Sequence, residues 1–130
     1  LTTIIVYSKK YYSDRPANVK QRLVPIVRLP EMYYIAAEAA PTVAAGLGYL
    51  NVVRLARLIP ALSIDVVNTP ALLDAELQKE YRKELYGEGQ LWFWYKRKNI
   101  TTIPDGVGNP MTQAKYTFPL PLGEIEFGVN

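Results

Sequence analysis

Apolar spacing marks the middle of the chain as helical and both ends as irregular. From Glu31 to Ala40 helix formers run without a breaker, and Met32, Ile35, Ala36 and Ala39 fall at i, i+3, i+4 and i+7, the spacing of one buried helix face. Pro30 suits the first helical turn, where its missing N–H costs nothing, and Pro41 ends the segment. Val43 to Ile59 is apolar almost all round, with Asn51, Arg54 and Arg57 as one polar stripe, which predicts a helix buried on most sides. The short turn between the two predicts an αα-hairpin whose alanine-rich surfaces pack closely, closed by Pro60.

Ala61 to Asn68 reads as a connector, and Thr69-Pro70 as a start signal, threonine capping and proline in the first turn of a helix running to about Tyr86. Leu73, Leu77, Tyr81 and Leu85 form its apolar stripe, while Asp74, Glu76, Gln78, Lys79, Arg82 and Lys83 are left for water. Gly87 suits a left-handed helix end, Glu88 and Gly89 make the turn, and Gln90 to Lys98 predicts a short fourth helix. Its run Leu91 to Tyr95 is too continuously apolar for a free surface, so most of it should pack inside.

The ends read differently. Ile4 to Tyr7 is β-prone, a strand or extended arm leading into a polar loop from Ser8 to Asn18. After Asn99 turn signals crowd between Pro104 and Pro110, and Phe118-Pro119-Leu120-Pro121 reads as an extended tail laid against the helices.

Composition narrows the chemistry. The 130 residues have no cysteine and no histidine, which removes disulfides, thiolate nucleophiles and the commonest general base and metal ligand. Serine occurs only at Ser8, Ser13 and Ser63, none in a nucleophile elbow, so a Ser-His-Asp hydrolase is excluded. The net charge of +3 is too small to specify an acidic partner, and no apolar run approaches the roughly 18 residues that would span a bilayer. Gly46-Leu47-Gly48 and Gly106-Val107-Gly108 lack the phosphate-loop pattern; the first reads as a close helix contact, the second as a loop.

The constellations that remain each admit two readings. Glu84 and Glu88, four apart, would share a helix face as an acid–base pair, but in so charged a helix a solvated or ion-paired role is favoured. Arg28, Arg54 and Arg97 lie in apolar segments and need partners, for which Glu31, Glu38, Glu84 and Glu88 are available; a structural ion-pair network is favoured over a phosphate or sulfated-sugar site. Trp92, Trp94 and Tyr95 beside Lys96-Arg97-Lys98 could stack on a sugar ring or a nucleic-acid strand, yet adjacent helical aromatics point in different directions and core packing is favoured for each. The pairs Tyr11-Tyr12 and Tyr33-Tyr34 should each divide between core and surface.

Glu80-Tyr81-Arg82-Lys83-Glu84-Leu85-Tyr86-Gly87-Glu88-Gly89-Gln90-Leu91-Trp92-Phe93-Trp94-Tyr95-Lys96-Arg97 resembles a signature of the SusD/RagB family. So, in the family's order, do Arg28 to Ala39, Tyr49 to Arg54, Phe118 to Pro121 and Glu124-Ile125. The resemblance implies a mainly α fold, a tetratricopeptide-like helix pair plus further helices with extended loops and a C-terminal tail. It implies that residues 1–130 are the C-terminal part of such a domain, the N-terminal part being missing. The implied function is non-enzymatic capture of an oligosaccharide or other nutrient and delivery to a SusC-like TonB-dependent transporter. The implied setting is the outer-membrane surface, through a lipid anchor outside this chain, with no cofactor, metal or nucleic acid. The signature runs are architectural, so no ligand-binding residue is carried over. Where family members end the second helix in arginine-glycine, this chain reads Arg54-Leu55-Ala56-Arg57-Leu58-Ile59. The alternative is a helical-repeat interaction scaffold without a glycan role.

Overall fold

The computed structural model describes residues 27–106 and 109–121, and within them the chain is helical, with no strand. The expected strand at Ile4 to Tyr7, the Tyr11-Tyr12 pair and Glu124-Ile125 lie outside the described residues, as do two positions of the 106–108 glycine loop. Four α-helices follow in order: α1 (Leu29–Glu38), α2 (Val43–Ala56), α3 (Pro70–Glu84) and α4 (Leu91–Arg97), then a 3-10 turn over Ala114–Tyr116. The chain divides after Gly87 into two compact units, the first holding α1 to α3 and the second α4 and the 3-10 turn.

Local chemistry sets the helix ends. The Thr42 and Thr69 hydroxyls accept the N–H groups of Ala45 and Leu72, capping α2 and α3, and Pro70 stands in the first turn of α3. At the end of α2 the Ile59 N–H donates to the Arg54 carbonyl (2.9 Å) and the Leu58 N–H to the Leu55 carbonyl (3.0 Å). This is the Schellman arrangement, and it places Leu58 in the left-handed region at φ 59. The end of α4 repeats it with Asn99 at φ 51, the Ile100 and Asn99 N–H groups donating to the Tyr95 and Lys96 carbonyls. Gly87 and Gly89 take φ 75 and 74 in the turn between α3 and α4, where a side chain would be strained.

In the first unit α1 and α2 form the expected antiparallel hairpin, with α3 packed on both. The core is Tyr34 and Ala37 of α1, Leu47, Leu50 and Val53 of α2, Leu73, Leu77, Tyr81 and Leu85 of the α3 segment, and Val67 from the connector. The apolar stripe of α3 is buried as its spacing requires. Gly46 lets the helices touch: a Cβ there would lie 2.7 Å from the Ala37 carbonyl oxygen and 2.6 Å from Leu73 Cδ2.

Two expectations change. The buried face of α1 is not that of Met32, Ile35, Ala36 and Ala39; Met32, Ile35 and Ala39 are exposed and Ala36 half-buried. Tyr34 and Ala37, which share the side of the helix opposite those residues, face inward, because the Tyr34 ring packs edge-on to Tyr81 (centroids 4.9 Å apart) while Ala37 admits α2. Nor is α2 buried on most sides. Tyr49, Val52 and Leu55 face outward, and of its polar stripe Asn51 and Arg54 turn inward while Arg57 stays exposed. There the Asn51 side-chain amide donates to the Leu62 carbonyl (2.9 Å) and its oxygen accepts the Leu62 N–H (2.8 Å), pinning the connector to α2.

In the second unit Trp94, Tyr95 and Tyr116 are buried, and the Tyr116 hydroxyl donates to the Ile100 carbonyl at 2.8 Å. Phe118 of the extended tail lies flat on Trp92, but Leu120 points outward. The Asn109 side chain ties the loop, accepting the Ile103 N–H and donating to the Ile103 carbonyl. Gly106 sits where a Cβ would come within 2.8 Å of Ile103 Cβ.

Candidate functional site

Three separate signature runs meet in the first unit. Arg28, preceding α1, sends one guanidinium nitrogen to Glu84 Oε1 (3.2 Å) and another to the Glu84 backbone carbonyl (2.8 Å). Arg54, in the last turn of α2, donates to Glu80 Oε1 (2.5 Å) and to the Pro60 carbonyl (3.0 Å). Arg57 reaches both oxygens of Glu84, at 2.8 and 3.0 Å, and Lys83 reaches Glu80 at 2.6 Å. The helix spacing of Glu80 and Glu84 puts both carboxylates on one face of α3, turned toward the arginines that end α2 and precede α1.

This network settles two sequence readings. Arg28 and Arg54 are partnered as expected of arginines in apolar segments, but Arg54 uses Glu80, the one buried charged side chain among the described residues, which was not among the expected carboxylates. Its place in a charged run hides it, since its partner is 26 residues away. The Glu84–Glu88 pair does not form a helix-face dyad, because α3 ends at Glu84. The dyad that does exist, Glu80 and Glu84, is bound by cations on every side, an arrangement for holding helices together rather than for exchanging protons. Arg97 is exposed at the end of α4.

Tyr34 lies beside these carboxylates. Burial pushes its hydroxyl well above the usual tyrosine range, Glu80 and Glu84 add to the rise, and Arg57 and Arg28 partly oppose it. It stays a neutral core residue at any physiological pH.

The aromatic run in the second unit does not make the platform its composition suggests. Trp94 and Tyr95 are buried, and Trp92 is half-buried with Phe118 stacked on it (4.6 Å, interplanar 30°) and the Lys96 ammonium 5.1 Å from its ring centroid. What remains open is Phe93, 61% exposed and edge-on to Trp92, and Phe118, 69% exposed. Both are carbon surfaces without a hydrogen-bonding tip.

A third place was not singled out by sequence. Among the described residues, Lys79, Arg82 and Lys83 on the outer side of α3 and Tyr86 just beyond its end line a shallow, open recess of about 630 Å3. These positions stand at i, i+3, i+4 and i+7; the sequence pattern leaves Lys79, Arg82 and Lys83 for water and takes Tyr86 as the helix end. Lys79 pairs with Glu76 at 2.5 Å.

Among the described residues no group of histidine, cysteine, aspartate or glutamate could hold a metal ion, and no helix is long and apolar enough to cross a membrane. In comparison with known families, the model described as the SusD family matches residues 2–126. No curated protein and no solved structure matches the chain.

Proposed function

The chain belongs to the SusD family, and on that premise we propose that it serves the capture of a glycan or other nutrient at the outer-membrane surface and its transfer to a SusC-like TonB-dependent transporter. It does so without catalysis. The observation that carries this reading is the family match over nearly the whole chain. It is supported by the chemistry: the chain has no histidine or cysteine, and the helix-face carboxylates Glu80 and Glu84 are engaged by arginines.

We read the chain as the C-terminal part of a larger α-helical domain, held to the membrane by a lipid anchor outside it. The support is an inverted pattern on α2, whose outward residues Tyr49, Val52 and Leu55 are apolar while Asn51 and Arg54 are spent on internal partners. Apolar faces of this kind are normally covered. The same face would suit a helical-repeat scaffold without a nutrient role, and cellular location separates the two. An immunoblot of fractionated source cells is expected to give an outer-membrane band several times heavier than 14.7 kDa. A cytoplasmic band near that mass would remove the nutrient reading.

A further inference from the structure

We draw no further inference here: the strongest candidate, the exposed aromatic patch of the second unit where Phe93 and Phe118 flank Trp92 with Lys96 at its rim, is an unpartnered apolar face, and nothing in the structure shows what covers it.

Discussion

Leu58 is a leucine in a glycine's position, and replacing it with glycine should stabilise the protein. Its φ of 59 puts the Cβ against the following carbonyl, a strain of about 1–2 kcal/mol for an L-residue. At 94% exposed it recovers almost nothing by packing. Leu58→Gly removes the strain and keeps both Schellman hydrogen bonds, which use only backbone atoms. Against this, glycine gives the unfolded chain extra freedom, about 0.4–1 kcal/mol. The net gain is about 0.5–1 kcal/mol, or a rise in Tm of a few degrees for a domain of this size. Urea denaturation followed by far-ultraviolet circular dichroism measures it, and an unchanged m-value would show that the denatured state is the same. Leu58→Ala is the control. It removes the exposed side chain but retains the Cβ, so it should gain little. Asn99→Gly, at the matching position of α4, should also gain less, because asparagine tolerates the left-handed region. A loss of stability in Leu58→Gly, or an equal gain in Leu58→Ala, would refute the reasoning.

Other substitutions test the core and the ion-pair network. Glu80→Gln leaves Arg54 part-buried without its carboxylate and should cost about 3–5 kcal/mol, measured by chemical denaturation; a cost below about 1 kcal/mol would mean the pair is solvated. Gly46→Ala should destabilise by about 1–3 kcal/mol, since the Ala37 carbonyl is fixed backbone, whereas Gly48→Ala meets nothing within 4 Å and should gain up to about 1 kcal/mol of helix propensity. Tyr34 and Tyr116 are both raised by burial above the ordinary tyrosine value of 10.0. Their unfolded forms therefore lose protons first, and their contribution, fully present below pH 10.0, should be lost as pH climbs above it toward their folded values. A last fraction of the tyrosinate absorbance that appears only together with unfolding checks this.

What the sequence reveals here is mostly what acts locally. Thr69-Pro70 announces the start of α3, and the fourfold spacing of Leu73, Leu77, Tyr81 and Leu85 gives its buried face, because caps and helix periodicity are set within a few residues. The face of α1 is misjudged because a tyrosine is apolar along most of its length: the pattern Met32, Ile35, Ala36, Ala39 is regular, yet the ring of Tyr34 finds Tyr81 and outweighs it. The polar stripe of α2 is likewise visible, but its direction is not, since Asn51 and Arg54 point to Leu62, Pro60 and Glu80 only once the connector and α3 have come back against it.

The family signature runs thereby acquire a physical meaning. Arg28, Asn51, Arg54, Glu80 and Glu84 come from three runs, and each bonds a residue of another run or a connector: Arg28 to Glu84, Arg54 to Glu80, Asn51 to Leu62. They fix the angle at which α3 lies on the helix pair, which is an architectural task. This is compatible with ligand contacts lying elsewhere, on exposed faces where substitution does not endanger the fold.

The central claim is that this chain works with a transporter at the outer membrane, and affinity purification tests it most directly. The native protein, tagged in its source cells, is drawn from gently solubilised outer membranes and its partners are identified by mass spectrometry. The account predicts a TonB-dependent transporter recovered in near-equal amount. Recovery of the tagged protein from the cytosolic fraction, or from outer membranes with no transporter bound, would contradict it.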